Sequence, residues 1–345
     1  MIYLNCDYNE GAHPSVMDAL LMSNMDQTIG YGEDEYCEEA RDIIKELCKD
    51  NKLYVQFLVG GTQANKTIID AALRPHQGVL SADTGHINVH ETGAIEACGH
   101  KVLALNSVDG KINASQIQEA YFKHMEKGSR EHEVQPKMVY ISNPTEYGTL
   151  YSKDELEDIS KVCHDNGLYL FMDGARLGYG LACKENDLDL PTIAKLCDVF
   201  YIGGTKVGAL FGEAVVIHNK DIKDDFRYLI KQNGGMLAKG RLLGIQFKAL
   251  LEDGLYFDIS KHAILMADAI RRTLDKKGYK YYIDSPSNQI FVIFPNKDLE
   301  KLSEKFVLSN EGEYDDNNTV VRVCTSWATK KEHVSAFIDA VNALP

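Results

Sequence analysis

Residues 168–176 read Leu168-Tyr169-Leu170-Phe171-Met172-Asp173-Gly174-Ala175-Arg176, an apolar run that leads into an aspartate and an arginine. A second run has the same form, Val199-Phe200-Tyr201-Ile202-Gly203-Gly204-Thr205-Lys206. Short apolar runs of this kind are typical of inner strands in a parallel sheet that is covered on both faces. Polar groups that follow such strands collect at the carboxyl edge of the sheet. We therefore expect Asp173 and Lys206 to face one site.

The alternation of strands and helices extends outward from these two runs. Further strands are predicted at 54–59, 78–80, 101–105, 137–142 and 214–217. Helices are predicted between them, among others at 86–98, 113–126, 152–166 and 190–196. This order indicates a mostly parallel, doubly wound sheet with helices on both faces, so the predicted fold class is α/β.

The pattern changes after about residue 220. A long helical stretch is predicted over 236–274, followed by strands at 281–283 and 290–294, an acidic turn at 313–318, a strand at 320–324 and a last helix at 331–343. These elements indicate a small α+β domain. We expect a large domain over residues 1–235, which includes a polar N-terminal arm, and a small domain over 236–345 that includes the linking helix.

The composition excludes several classes of protein. The chain has 37 Lys and Arg against 51 Asp and Glu, so its formal charge is −14, which argues against nucleic acid and anionic membranes as partners. The apolar stretches are too short to span a membrane, and no secretory signal is visible. The eight cysteines form no Cys-x-x-Cys pair and are expected to be reduced. A soluble, cytoplasmic protein is the expectation.

A glycine-rich turn connects the strand at 54–59 to a helix and reads Gly60-Gly61-Thr62-Gln63-Ala64-Asn65. Glycines let the backbone approach an anion, and a helix N-terminus supplies free N–H groups, so the turn is a candidate phosphate site. It matches neither the dinucleotide fingerprint nor the P-loop. The alternative is a plain turn in which Thr62 is the N-cap of the helix.

Asp173 and Lys206 give this turn a chemical context. A buried aspartate can keep a pyridine nitrogen protonated, and a lysine on a neighbouring strand can condense with an aldehyde. Together with a phosphate site, these are the three contacts that pyridoxal 5'-phosphate requires. The alternative is a buried Asp–Lys ion pair without catalysis, which the position of both residues beside glycine turns at strand ends disfavours.

Further motifs make the chain similar to a known family. In chain order they are Tyr31-Gly32-Glu33-Asp34, His86 with Glu91 and Gly93, Asp173-Gly174-Ala175-Arg176, Thr205-Lys206 and Val321-Arg322. Together they resemble the low-specificity L-threonine aldolases, which are fold-type-I pyridoxal-phosphate enzymes of the β-eliminating lyase group. The resemblance covers nearly the whole chain. It implies a seven-stranded-type sheet, pyridoxal 5'-phosphate as cofactor, an amino acid substrate, and retro-aldol cleavage to glycine and an aldehyde.

The resemblance also implies which residues bind the cofactor. Lys206 would bond to it covalently and Asp173 would pair with its ring nitrogen. His86 would stack on the ring and take part in catalysis. The remaining contacts to the cofactor would come from Gly61, Thr62, Arg176 and Thr205. No metal is expected, since a zinc site at His86 and His90, four residues apart on the predicted helix, lacks a third ligand.

Substrate binding is implied for three residues. Arg176 and Arg322 would bind the substrate carboxylate, for which a guanidinium is well suited. For both, the alternative is a structural salt bridge. Tyr31 would reach into the site of a neighbouring subunit, which implies a homodimer or homotetramer; its alternative is packing within a loop.

One departure from the family leaves the catalytic base open. Many members carry a Glu-Asn-Thr-His segment whose histidine lies near the substrate hydroxyl, whereas this chain has Ser142-Asn143-Pro144-Thr145-Glu146. His86 acting through a water molecule and His90 are the candidate bases. The main alternative function is β-elimination from another amino acid, followed by a non-catalytic binding protein. A nicotinamide dehydrogenase ranks last because the glycine spacing is wrong.

Overall fold

The computed structural model describes all residues, 1–345. Its strands are β1 (Ile2–Tyr3), β2 (Tyr54–Leu58), β3 (Gln77–Ala82), β4 (Lys101–Leu105), β5 (Gln135–Ser142), β6 (Tyr169–Asp173), β7 (Val199–Gly203), β8 (Glu213–Ile217), β9 (Lys280–Ile283), β10 (Gln289–Pro295), β11 (Phe306–Val307), β12 (Ser309–Asp315) and β13 (Asn318–Cys324). Its α-helices are α1 (Pro14–Met22), α2 (Glu35–Leu47), α3 (Gly61–Ala72), α4 (His86–Val89), α5 (Ala114–Met125), α6 (Lys153–Asp165), α7 (Leu177–Ala182), α8 (Leu190–Leu196), α9 (Lys220–Lys223), α10 (Phe226–Gln232), α11 (Arg241–Leu251), α12 (Leu255–Lys277), α13 (Asn296–Ser303) and α14 (Lys331–Ala343).

A seven-stranded sheet forms the centre of the molecule. Its strand order is β2-β8-β7-β6-β5-β3-β4, and β8 alone runs antiparallel to its neighbours. Successive residues of β6 enter different hydrophobic cores, Phe171 on one face and Met172 on the other, and neither is exposed. Side chains that alternate between two cores show that the sheet is buried on both faces. The predicted α/β fold with a mostly parallel sheet is confirmed.

The two charged strand ends lie side by side because glycines follow both strands. A Cβ atom on Gly174 would lie 1.9 Å from the carbonyl oxygen of Tyr201, and one on Gly203 would lie 2.3 Å from that of Ala175. Any side chain at either position would therefore push β6 and β7 apart. The third neighbour, β5, ends at Ser142, which pairs in register with Asp173. Three adjacent strands thus end at one edge.

The C-terminal part forms a four-stranded antiparallel sheet in the order β12-β13-β10-β9. A separate core lies between this sheet and the helices α12 and α14, and β1 joins it by pairing with β11. Leu243 and Phe247 of α11 pack instead in the core of the central sheet, as does the first half of α12. The domain boundary at residue 235 stays a prediction. No helix is both long and apolar enough to cross a membrane.

Three of the predicted elements are wrong. The helix expected over 86–98 is only α4 and a 3₁₀ turn at Glu96–Cys98, because Thr92 and Gly93 adopt positive φ angles. The helix expected over 236–274 is divided into α11 and α12 by Gly254, at φ 73°. The expected acidic turn at 313–318 is only two residues long, Asp316 and Asn317, because the residues on either side of it pair as strands β12 and β13.

Candidate active site

A cleft of about 690 Å³ opens at the carboxyl edge of the central sheet, where it meets the small domain. The loops after β5, β6 and β7 contribute to its walls, together with α4 and strands of the antiparallel sheet. Among the residues that line the cleft are His86, Glu146, Arg176, Lys206, Phe291 and Arg322. A deeper recess adjoins the cleft and contains Gly61 and Asp173. The structure therefore brings most of the predicted site residues together.

Asp173 is held as a charged group at the bottom of the recess. Its carboxylate accepts hydrogen bonds from the Tyr140 hydroxyl at 2.6 Å, the Ala175 N–H at 2.9 Å and the Asn65 side-chain amide at 3.1 Å. Burial alone would raise the pKa of Asp173, but the Tyr140 and Tyr201 hydroxyls, the Ala175 N–H and the nearby His86 lower it. A carboxylate that stays ionised while buried can keep a partner nitrogen protonated.

His86 is fixed by an acidic partner. Its Nδ1 lies 2.7 Å from Glu91 Oε1, which also accepts a hydrogen bond from Asn65 at 2.6 Å. Burial opposes charge on the ring, but the bond to Glu91 and the charge of Asp173 outweigh it and raise the pKa of His86. Asn65 thus connects Asp173 with the Glu91–His86 pair. Sequence reasoning gave no role to Asn65 or Glu91.

His90 lies just beyond α4, so it does not continue the helical face on which it was expected. Its ring centroid is 5.6 Å from that of His86. Burial, followed by the charge of His86, lowers the pKa of His90. His90 is therefore the neutral histidine of the two.

Lys206 differs from the other charged groups because its Nζ has no hydrogen-bond or ion-pair partner. Its carbonyl accepts a bond from the Tyr179 hydroxyl, while the amine lies in the cleft. Burial, and then the charge of Arg176, lower the pKa of Lys206. A lysine with a lowered pKa is the form that acts as a nucleophile.

A buried acid, Glu213, lies on the other side of Lys206. Its Oε1 accepts a hydrogen bond from the Thr205 hydroxyl at 2.9 Å, and its Oε2 has no partner. Burial raises the pKa of Glu213 to about 8, although the charge of Lys206 opposes this. Thr205 also accepts a bond from the Gly212 N–H at 3.0 Å, so its hydroxyl is engaged within the protein.

The glycine turn has the form that an anion requires. Helix α3 begins at Gly61, its N-cap is Gly60, and no side chain caps it. The alternative in which Thr62 is the N-cap is therefore wrong, and Thr62 is exposed. A Cβ on Gly61 would lie 3.3 Å from the Tyr201 hydroxyl, which also lies beside Asp173 and helps to lower the pKa of that carboxyl. The first turn thus offers free N–H groups, which fits a phosphate.

The two arginines differ in how firmly they are held. Arg176 forms two bonds with the buried carboxylate of Asp7, Nε to Oδ2 at 2.7 Å and Nη2 to Oδ1 at 3.1 Å. Arg322 makes longer contacts, to Gln289 at 3.3 Å and to Glu311 at 3.4 Å. Both line the cleft. Arg176 thus combines a structural salt bridge with a position at the site.

Tyr31 does not line the cleft of its own chain. It is about half exposed at 48%, and Lys231 lies over its ring at 5.1 Å from the centroid. Its carbonyl accepts a hydrogen bond from Arg227 at 3.3 Å. The expectation that Tyr31 serves a neighbouring subunit stays a prediction.

Two acids at the site, Glu146 and Glu213, were missed as functional residues. Glu146 was noticed in the sequence only as the end of a segment without a histidine. Its position four residues after a strand that neighbours the Asp173 strand is the signal that identifies it. Glu213 is the first residue of an apolar run, and in the sequence nothing separates it from an ordinary polar strand end.

Lys206, Asp173 and the turn at Gly61 meet the three requirements of pyridoxal phosphate, and the fold and this site define a pyridoxal-phosphate enzyme of fold type I. The chain matches the family described as Beta-eliminating lyase over residues 6–288, and it belongs to that family. The family and cofactor predicted from the sequence are confirmed.

Similar proteins agree with this assignment. The low specificity L-threonine aldolase of Pseudomonas sp. (strain NCIMB 10558) is 31% identical over 305 residues, which cover 87% of this chain and 86% of the relative. A solved threonine aldolase from Leishmania major is 43% identical, covers 99% of both chains and gives a TM-score of 0.96. An aspartate aminotransferase from Thermus thermophilus is 14% identical with a TM-score of 0.72 over 100% of this chain and 92% of that chain, and it shows the fold alone.

Proposed function

We propose that this enzyme cleaves L-threonine and L-allo-threonine, and related β-hydroxy-α-amino acids, to glycine and an aldehyde. The observation that carries the proposal is the free amine of Lys206 beside the hydrogen-bonded carboxylate of Asp173. The threonine aldolases among its relatives support this substrate class. The alternative from the sequence, β-elimination from another amino acid, would use the same pair of residues.

The geometry supports the predicted residues as the ones that would hold the cofactor. The N–H groups of Gly61 and Thr62 would bind its phosphate, with the Thr205 hydroxyl nearby, and Asp173 would bind its ring nitrogen. His86, fixed by Glu91, would lie against the ring. Bound there, pyridoxal phosphate supplies an aldehyde for amine condensation and a ring that accepts the electrons of the broken Cα–Cβ bond.

The protein would orient the substrate through its two arginines. Arg322 binds the carboxylate with the N–H groups that its long contacts leave available, and Arg176 adds charge from a position fixed by Asp7. Lys206 would hold the cofactor through its amine, and the same amine, once free, could carry a proton within the cleft. Asp173 would keep a ring nitrogen protonated, which is what lets the cofactor accept electrons.

The test is to record the visible absorption of the purified enzyme and then to assay acetaldehyde with L-threonine and L-allo-threonine separately. A cofactor band together with acetaldehyde from either isomer supports the aldolase. A band without acetaldehyde, but with pyruvate or another elimination product from a panel of amino acids, would move the function to β-elimination. Turnover of no amino acid would leave a binding protein.

We also infer that the enzyme acts as a homodimer or homotetramer. Apolar residues of high exposure follow one another in the segment before Tyr31, among them Leu21, Met22, Met25 and Ile29. A surface of this kind is typical of contacts between subunits. Light scattering of the purified protein gives the mass directly, and a monomer would contradict the inference. The cytoplasmic location expected from the sequence stays a prediction.

A further inference from the structure

Glu146 is a carboxylate of the cleft that the mechanism above does not use. It is four residues beyond the end of β5, and its Oε1 accepts two hydrogen bonds at 2.8 Å, from the His86 N–H and from the Ser142 hydroxyl. The second oxygen, Oε2, has no hydrogen-bond partner in the protein and is not sealed from the cleft. The carboxylate is thus fixed through one oxygen and presents the other.

The open oxygen belongs to the same cleft as the reacting groups. Glu146 lines both the cleft and its recess, as do His86, Arg176 and Lys206. A carboxylate oxygen that is open to the cleft is thus available to a substrate held between these groups.

The environment of Glu146 suits proton transfer. Burial, and after it the charge of Asp173, raise the pKa of Glu146, whereas the bonds from Ser142 and the His86 N–H oppose the shift. A carboxylate with a raised pKa is a stronger base than an exposed one. The titratable and charged groups around it are Tyr140, Tyr147, Tyr151, Asp173, His86, Arg176 and Lys206.

The other candidate bases are less suited. His86 commits Nδ1 to Glu91, and its raised pKa favours the charged ring, which cannot accept a proton. His90 is neutral, but no hydrogen bond fixes its ring. Glu146 combines a fixed position with an oxygen open to the cleft.

We propose that Glu146 is the catalytic base that removes the proton of the substrate β-hydroxyl through Oε2. The O–H bond breaks and its proton passes to Oε2, while the C–O bond becomes the carbonyl of the aldehyde. The Cα–Cβ bond breaks, and its electron pair stays at Cα, which takes up one proton to give glycine. The proton on Glu146 returns to Cα or to solvent, so the reaction is balanced. The inference rests on the proposed function.

The first test compares Glu146→Gln with the wild-type holoenzyme. Glutamine keeps the shape and an oxygen for the His86 N–H and Ser142, but it is not a base. We expect threonine cleavage to fall by about 10²-fold or more, the contribution typical of general base catalysis. Glycine has no β-hydroxyl, so its dissociation constant, measured from the cofactor absorption, should stay within about twofold. Asp83→Asn, whose carboxylate is committed to Ser107 in the same cleft, is the matched control.

A second variant, Ser142→Ala, keeps the carboxylate and removes one of its hydrogen bonds. Because that bond lowers the pKa of Glu146, its loss should move the rising limb of the plot of kcat/KM against pH to higher pH. The base must be ionised, so activity should increase with pH through this limb. A merely structural role for Glu146 would leave the limb in place.

The outcomes separate this inference from the proposed function. If the wild-type enzyme cleaves neither isomer of threonine, the proposed function is wrong. If it cleaves threonine and Glu146→Gln does so equally well, only the role of Glu146 is wrong. Loss of glycine binding or of the cofactor band together with cleavage would make Glu146 structural and also overturn the inference. So would an unshifted pH limb in Ser142→Ala.

Discussion

The ends of strands β6 and β7 lie side by side, and the protein treats their charges in opposite ways. Asp173, at the end of β6, accepts three hydrogen bonds that keep it ionised. Lys206, three residues beyond β7, is half-buried, but its amine has no partner, and its pKa is lowered. Burial of a charge is costly unless hydrogen bonds or a counter-charge offset it. One strand end is therefore built to stay charged, and the other to react.

The neighbours of the two residues extend this difference. Around Asp173, Asn65 and Glu91 form a connected set of hydrogen bonds that reaches His86. Near Lys206, the buried acid Glu213 has one oxygen without a partner and a pKa raised to about 8. The bonds between Asn65, Glu91 and His86 hold the surroundings of Asp173 in place, whereas the only side chain that bonds to Glu213 is that of Thr205.

Replacement of the reactive group should have the largest effect. In Lys206→Ala we expect the absorption band of covalently bound cofactor to be lost and threonine cleavage to fall by more than about 10³-fold, as for the loss of a covalent nucleophile. Absorption spectra and acetaldehyde assays measure both. Lys161→Ala, on the exposed surface, is the control. Normal turnover in Lys206→Ala would mean that Lys206 is not the reactive group.

Neutralising the charge of Asp173 should have the second largest effect. Asp173→Asn keeps the size of the side chain but no longer holds a ring nitrogen protonated, so we expect kcat to fall by about 10²-fold, typical of losing one preorganised electrostatic contact. The cofactor should still bond to Lys206. Tyr140→Phe removes one donor to Asp173 and should cost much less. Equal losses in the two variants would mean that the network, and not the charge, matters.

The sequence predicted the pair itself because its signal is local. Apolar runs that end in Asp173 and Lys206 identify buried strands, and Gly174 and Gly203 mark where the chain turns. Since strands of a parallel sheet end at a common edge, the two residues could be placed together without a structure. The family motifs are local in the sequence too, and they predicted the cofactor.

The partners of that pair depend on contacts between distant parts of the chain and were not predictable. Asn65 meets Asp173 across 108 positions, and Asp7 meets Arg176 across 169. The prediction of a continuous helix over 86–98 missed the turn at Thr92 and Gly93, which directly follows Glu91. Periodicity favours a continuous helix there, while the bonds of Glu91 to His86 and Asn65 decide the outcome. In the sequence, Gly93 was the signal that the helix could end at this point.

Arg176, three residues after Asp173, allows the comparison to be tested by measuring the stability of the protein. Arg176 is matched by Asp7, unlike Lys206, so Asp7→Asn should leave a buried guanidinium without its counter-charge. We expect the free energy of unfolding to fall by about 3 kcal/mol, typical of breaking a buried ion pair. Asp165→Asn, which breaks the exposed pair with Lys161, should cost far less. Chemical denaturation measures both, and equal costs would mean that Asp7 is not the partner on which Arg176 depends.

The smallest and most selective effect concerns the acid beside Lys206. Because the pKa of Glu213 is raised to about 8 in the folded protein, the folded state holds a proton between about pH 4.5 and 8 that the unfolded state has released. By linkage, this group makes the free energy of unfolding decrease as pH rises through that window. Glu213→Gln lacks the ionisation, so its stability relative to wild type should increase with pH.

Denaturation of the cofactor-free protein near pH 5.5 and pH 8.5 tests the sign. A stability difference between Glu213→Gln and wild type that grows in favour of the variant at the higher pH would mean that Glu213 is protonated in the folded protein and does not neutralise Lys206. A difference that does not change with pH would mean that Glu213 is ionised throughout and neutralises Lys206. The two strand ends would then both be paired, and the contrast between a fixed charge and a free amine would depend on the cofactor alone.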